Sequence, residues 1–301
     1  MVPIERGDSM QRTLVILRGA SGSGKTTRAR KLIQPYLPHA VIVSRDIIRQ
    51  MLGATGKTVL DSEQETLVTH IEHDLIREAC YRGDYVVVDD TNTFAKNVNS
   101  FANLGFNMGY SVNVVTMDTP YDVCVARSPL PEAVVRRQFD RVNQQPVVLT
   151  RTPVRPVEQD KTLPRVFLFD MDGTLARIDP ENPRDPYDAS RAHEDLEVGP
   201  VATVFDEMSC VDKIITTGRF NRHLGVTEKW LTQHGLNDYK AIYTRADGDH
   251  RQDAAVKYDM LREIVKNYYV IGVFDDREQV IDMWRTAGIH VFDVGQGKAK
   301  F

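Results

Sequence analysis

The sequence predicts an α/β protein of two domains, each a mainly parallel sheet flanked by helices, and three observations carry that prediction. Residues 13–17 form an apolar run that leads through Gly19-Ala-Ser21-Gly22-Ser23-Gly24-Lys25-Thr26 into a helical stretch beginning at Thr27. Residues 166–169 form a second apolar run, ending in Asp170-Met-Asp172-Gly173-Thr174. Between them, residues 145–164 lose apolar periodicity and carry Pro146, Pro153, Pro156 and Pro164, the mark of a stiff linker. The expected division is a polar tail (1–11), a first domain (12–144), the linker (145–164) and a second domain (165–301).

Composition narrows the function classes. A chain of 301 residues, 42% hydrophobic and 27% charged, is long enough for two cores. It has no apolar run of about eighteen residues, so no membrane partner is expected. The start lacks the apolar centre of a signal peptide, and Cys80, Cys124 and Cys210 cannot all pair; both observations predict a cytoplasmic protein with reduced thiols. Residues 1–150 hold 17 Lys/Arg against 16 Asp/Glu, and residues 151–301 hold 21 against 26. Neither half is the basic block of a protein that coats nucleic acid, although a protein gripping only a strand end needs few phosphate contacts.

In the first domain, GxxxxGKT between strand and helix is a P-loop. Its backbone N–H groups, from Gly19 through Ser21, Gly22, Ser23 and Gly24 to Thr27, would wrap the phosphates of ATP. Lys25 would reach the outer phosphates, and the Thr26 hydroxyl would ligate Mg²⁺. A second buried strand, residues 41–44, ends at Arg45-Asp46-Ile-Ile-Arg49. Asp46 stands where a general base for an acceptor hydroxyl would stand, and Arg49, one turn on, could hold a phosphate of the acceptor. The competing reading makes Asp46 a helix cap and Arg49 a solvated residue.

Residues 61–79 show helical spacing, with His70 and His73 expected on a solvated face. A third strand from Tyr85 ends in Asp89-Asp90-Thr91-Asn92, with Asp90 the expected Mg²⁺ partner. A helix (97–108) and a fourth strand (111–117) follow. Arg127, at the end of a helix from Tyr121, is placed for a lid arginine that stabilises the transferring phosphoryl. Arg136, Arg137 and Arg141 read as a solvated helix face.

In the second domain Asp170 suits an attacking carboxylate with Mg²⁺ beside it, and Asp172 a general acid–base. The stretch between Thr174 and Lys213 has room for a proline-rich loop and one helix. An open site of that kind favours a macromolecular substrate. Arg245, Asp249 and Arg251 would grip a phosphate backbone or simply form a polar loop. Tyr268, Tyr269, Met283 and Trp284 are expected in the core, and residues 295–301 are expected to form a loose tail.

Asp170-Met-Asp172-Gly-Thr resembles the signature of haloacid-dehalogenase-type (HAD-like) phosphatases, and that resemblance implies a Rossmannoid fold; the short stretch between Thr174 and Lys213 leaves it little or no cap. It also implies Thr217 as holder of phosphoryl oxygens, Lys257 as the cation bridging nucleophile and phosphate, and Asp275 and Asp276, with Asp170 and Asp172, as metal-side acids. Both halves together, over about residues 12–295, resemble the bacteriophage polynucleotide kinase-phosphatase family. The resemblance rests on Arg45-Asp46-Ile-Ile-Arg49, Asp90-Thr91-Asn92, Pro186-Tyr187-Asp188, Thr217-Gly-Arg219 and the run from Arg245 to Lys257. It implies transfer of the ATP γ-phosphoryl to a 5′-hydroxyl of RNA or DNA. It further implies removal of 3′-phosphate, and of 2′,3′-cyclic phosphate, through Asp170.

Arg45, Asp46, Arg49, Asn92, Arg219, Arg245, Asp249 and Arg251 would meet the nucleic-acid ends. A functional link to an RNA ligase and a homo-oligomeric state are further implications, with the host cytoplasm as location if the protein is viral. The chain departs from the family in a short lid, Arg127-Ser-Pro-Leu-Pro. The alternative is a bifunctional kinase/phosphatase of small metabolites.

Overall fold

The computed structural model describes residues 12–54, 60–149, 151 and 153–295. The expected tails, 1–11 and 295–301, lie outside those residues except for Gly295. The chain divides into two units, one reaching Pro153 and one beginning at Val154.

The first unit contains β1 (Thr13–Arg18), α1 (Lys25–Ile33), β2 (Ala40–Val43), α2 (Arg45–Met51) and α3 (Ser62–Arg82), followed by β3 (Tyr85–Asp89), α4 (Ala95–Asn107), β4 (Ser111–Thr116), α5 (Tyr121–Arg127) and α6 (Glu132–Gln144). The strands form one parallel sheet in the order β2-β3-β1-β4. Alternation along β1 explains its continuous apolar run. Leu14 and Ile16 enter one core and Val15 and Leu17 the other, so helices cover both faces. A capping box between Asp61 and Gln64 starts α3, and Gly83 at φ 78° ends it. Because β1 lies between β3 and β4, the chain's direction across the sheet reverses beside it, and the crevice there is where such sheets bind ligands.

The second unit contains β5 (Arg165–Asp170), β6 (Ala176–Arg177), β7 (Leu196–Glu197), α7 (Gly199–Glu207), β8 (Asp212–Phe220) and α8 (Leu224–Gln233), then β9 (Ala241–Arg245), α9 (Asp253–Ile264), β10 (Tyr269–Asp275), α10 (Glu278–Thr286) and β11 (Val291–Asp293). Its parallel sheet has the order β11-β10-β5-β8-β9, which puts Asp170 at the end of the central strand. Between β5 and α7 stand only the two-residue pair β6/β7 and a short 3₁₀ turn, Ala189–Glu194, so the site carries no large cap.

The proline-rich stretch is anchored at both ends. Val147 and Leu149 pack on the first unit's core, where Arg151 donates to Asn103 and Asn107. Val154 is buried in the second unit's core. Several side chains depart from expectation. His73 is half-buried, packed edge-on against Phe101, because α3 lies on α4 there. Tyr268 and Tyr269 are half-buried, whereas Met283 and Trp284 are core. Arg136 and Arg141 are not plain solvated residues: their guanidinium groups lie over Tyr121 and Phe94.

Candidate active sites

In the first unit the carboxyl ends of β1, β2 and β3 open into a cavity of about 1300 Å³. Of the residues expected there, Ser21, Gly22, Gly24, Lys25, Thr26, Thr27, Arg45, Asp46, Arg49, Asp90, Asn92 and Arg127 line it; Gly19 and Ser23 do not. Gly24 at φ 87° turns the loop into α1, aiming the first helical N–H groups at the cavity. The Lys25 ammonium donates to the carbonyls of Gly19 (3.0 Å) and Ala20 (2.8 Å), and burial lowers its pKa. Gly22 permits the loop's approach to the lid, since a Cβ there would collide with the carbonyl of Cys124 on α5. Ser128 donates to Ser21 at 2.9 Å, and the Ser21 N–H donates to Gln138 on α6. Arg127 is exposed at the end of α5, beside these contacts.

The two acids at the end of β3 point apart. Asp89 accepts the Thr26 hydroxyl, and burial raises its pKa. Asp90, the residue expected beside the metal, turns to Glu72 instead. One oxygen accepts from the Arg45 N–H, and burial together with Glu72 pushes its pKa up to about 9. Burial and the neighbouring Glu72 therefore favour the protonated form of Asp90 at neutral pH. The position on the P-loop side falls to Asp89 because successive strand side chains face opposite ways.

Helix α3 holds both arginines of Arg45-Asp46-Ile-Ile-Arg49. Arg45 pairs with Glu65 (2.9 Å) and with the fully buried Glu72 (3.0 Å), and Arg49 pairs with Glu65 (2.8 Å) and Asp46 (2.9 Å). Asp46 itself is 82% exposed at the cavity. Asn92, at φ 45°, donates to the Leu17 carbonyl, and the buried Arg18 donates to the carbonyls of Asn92 and Thr93. Glu65 and Glu72 lie seven residues apart on one helix face, a spacing legible in sequence, but their partners are sequence-distant.

In the second unit Asp170 is buried and its Oδ1 lies 2.8 Å from the Lys257 ammonium, which also meets Asp275 at 2.9 Å and Asp253 at 3.7 Å. Burial alone would lower the Lys257 pKa, but Asp170, Asp275 and Asp253 together raise it, so the lysine stays charged. Burial pushes the Asp170 carboxyl well up, with Lys257 opposing. One oxygen each from Asp170, Asp275 and Asp276 lies within 4.8 Å of the others. Oδ2 of Asp276 is buried without a hydrogen-bond partner, and burial with Asp275 raises that carboxyl to about 6. Three clustered carboxylates, one oxygen of them unsatisfied, suit a hard divalent cation such as Mg²⁺.

Asp172 lies outside that cluster. Arg219 binds both of its oxygens (2.9 and 2.7 Å), and Arg184 adds a third bond at 3.1 Å. Burial favours the neutral acid, yet the arginines outweigh it and hold the carboxyl below the usual range. Asp195 anchors the same two arginines from behind. Thr217 accepts the Arg219 N–H. Arg245 is spent inside the protein, on the carbonyls of Gly218, Asp249 and Arg251 and on Asp253, while Arg251 pairs with Asp249 and Asp259. Arg184 and Asp195 escaped sequence reasoning, and Asp253 figured there only within the run from Arg245 to Lys257, with no role; Arg184 stands two residues before the noted Pro186-Tyr187-Asp188.

Fold and site together define a P-loop domain of the phosphotransferase kind joined to a HAD-type phosphatase domain. Residues 14–144 match the family described as AAA domain, and residues 164–299 the family described as polynucleotide kinase PNKP phosphatase domain. A chain from a solved Pnkp1/Rnl/Hen1 complex is 30% identical, with 95% of this chain and 97% of that one covered and a TM-score of 0.46. Another, from the Pnkp1/Rnl/Hen1 RNA repair complex, is 28% identical, with coverage of 98% and 99% and a TM-score of 0.46. A protein of Autographa californica nuclear polyhedrosis virus named as a bifunctional polynucleotide kinase/RNA ligase is 28% identical over 96% of this chain; the chain spans 43% of that protein's length. The chain belongs to the polynucleotide kinase-phosphatase family. Among the described residues no helix is long and apolar enough to cross a membrane.

Proposed function

We propose that this chain heals nucleic-acid ends, phosphorylating a 5′-hydroxyl in its first domain and removing a 3′-phosphate in its second. The observation that carries the reading is the pairing of two complete phosphoryl-handling sites on a chain of this family: the P-loop cavity that also admits Asp46, and the Asp170–Lys257 pair beside a carboxylate cluster.

In the first domain the P-loop N–H groups and Lys25 hold the phosphates of ATP, and Thr26 with Asp89 behind it would hold a Mg²⁺ ion that offsets phosphate charge. Asp46 takes the proton of the acceptor hydroxyl as its oxygen attacks the γ-phosphorus, the bond to ADP breaks, and Arg127 offsets the developing charge. Arg49 is the candidate for a phosphate of the acceptor.

In the second domain Asp170, Asp275 and Asp276 would hold a divalent cation, which when bound offsets negative charge on the phosphoryl oxygens. Asp170 attacks phosphorus, the bond to the 3′-oxygen breaks, and Asp172 gives that oxygen a proton. A carboxyl held low by two arginines is a base at neutral pH. Asp172 can carry a proton only when Arg184 and Arg219 turn to the substrate phosphate. Water then attacks the aspartyl-phosphate, returning a proton to Asp172 and releasing inorganic phosphate. Lys257 favours the ionised, attacking form of Asp170 against the effect of burial, and Thr217 is the candidate holder of phosphoryl oxygens. Ends finished in this way are those an RNA ligase can seal.

The test uses an RNA oligonucleotide with a 5′-hydroxyl and a 3′-phosphate, incubated with labelled ATP and Mg²⁺. Wild type is expected to add the 5′ label and remove the 3′-phosphate, Lys25→Ala to lose only the label, and Asp170→Asn only the dephosphorylation. A wild type that changes neither end, but phosphorylates a free sugar or nucleoside, refutes the polynucleotide reading.

A further inference from the structure

Beyond the P-loop and the Asp46 corner, the cavity of the first domain continues along the start of α4, where Phe94, Asn97 and Ser100 line it. None of these residues handles phosphate. Phe94 leaves 39% of its surface exposed although it sits at the cavity wall, directly after Asn92 and Thr93. The Arg141 guanidinium lies 3.9 Å from the centre of its ring, and the Lys96 ammonium 5.8 Å. A planar cation against an aromatic ring makes a flat, rigid, positively charged surface.

The neighbouring side chains tie this surface to the acceptor half of the cavity. Ser100 lies 3.5 Å from Nε2 of the half-buried His73, and both line the cavity. His73 shares α3 with Glu65 and Glu72, which fix Arg45 and Arg49 on either side of Asp46. The exposed Asn97 and the half-buried Ser100 thus add donors and acceptors one turn and two turns along α4 from the aromatic ring.

We propose that Phe94, backed by Arg141, is a stacking shelf for a nucleobase of the acceptor strand at or next to the 5′-hydroxyl, with Asn97 and Ser100 meeting that base's edge. The inference rests on the first domain's being a polynucleotide 5′-kinase and names the part of the substrate it reads besides phosphate. A ring presents the same face to every base, so the shelf favours a nucleic acid over a sugar without selecting sequence. It also explains how a domain with near-balanced charge holds a strand end.

The experiment measures KM for the acceptor, KM for ATP and kcat in wild type, Phe94→Ala and Phe94→Trp. Two 5′-hydroxyl oligonucleotides are compared, one complete and one with abasic sites at its first two positions. Phe94→Ala is expected to raise KM for the complete acceptor about tenfold, with Phe94→Trp close to wild type. KM for ATP and kcat should hold, and wild type and Phe94→Ala should converge on the abasic acceptor. An equal loss on both acceptors, a shift in KM for ATP, or a fall in kcat alone overturns the shelf while the kinase reading stands. A wild type that labels no oligonucleotide removes that reading, and the shelf with it. Phosphatase activity of the same preparations reports that the variant chains are folded in the second domain, and an unchanged KM for ATP reports the first.

Discussion

Lys257 and Asp170 meet at 2.8 Å with the lysine side chain wholly buried, and the same ammonium holds Asp275 at 2.9 Å. One cation therefore offsets the mutual repulsion of carboxylates gathered at the ends of two adjacent strands.

Replacing it exposes that repulsion. Lys257→Ala leaves Asp170, Asp275 and Asp253 without their shared partner, and removing one member of a buried ion cluster costs about 3–5 kcal/mol. Denaturant unfolding of the second domain should shift by that amount, dephosphorylation should disappear, and 5′ labelling should persist. Unchanged stability would show that the carboxyl groups take up protons instead.

The two acids ending β3 should separate by mutation. Asp90→Asn can still accept from the Arg45 N–H and donate to Glu72, so 5′-kinase activity should stay within a few-fold of wild type. Asp89→Asn weakens the partner of Thr26, and Mg²⁺ activation of the kinase should weaken about 10–100-fold. A Mg²⁺ titration of the kinase rate distinguishes them; the opposite ranking returns the metal-side role to Asp90.

Glu65 links stability to pH. Its hydrogen bond from Arg49, with Arg45 adding to it against the effect of burial, lowers its pKa from 4.5 to about 2. A carboxyl held lower in the folded state contributes stability above its unfolded pKa, and loses that contribution as pH falls through the folded one. The gap in unfolding free energy between wild type and Glu65→Gln should be full above pH 4.5 and close as pH approaches 2. Urea unfolding across that range measures it, and a gap independent of pH would mean the carboxylate charge is not what holds Arg45 and Arg49.

Gly173 is constrained twice over. Its φ is 92°, a conformation costly to other residues by about 1–2 kcal/mol, and a Cβ there would collide with the Asp276 carboxylate. Gly173→Ala should lower the second domain's melting temperature and abolish dephosphorylation by displacing Asp276, while 5′ labelling continues. Retained phosphatase activity would show that Asp276 has room to move aside.

The sequence alone determined a great deal here, because backbone chemistry is local. Glycines after an apolar run specify the loop that opens α1, and Asp170-Met-Asp172-Gly173-Thr174 specifies a strand end and its turn. The four parallel strands of the first unit follow from apolar runs separated by helical segments. In the second unit β9 and β11 are not runs of buried residues and were decided by pairing in the sheet. The partners of charged side chains were decided only by the tertiary structure. Asp89 and Asp90 are adjacent and chemically identical, and pleating alone sends one to Thr26 and the other to Glu72. Arg49 reads equally as a solvated residue or a phosphate anchor until Glu65, sixteen positions on, is brought against it. Arg184 and Arg219 stand 35 residues apart and meet at Asp172 only because the loop after β5 folds back over the end of β8. Local propensity reaches one or two turns along the chain, whereas electrostatic pairing depends on distances that the packed sheets and helices set.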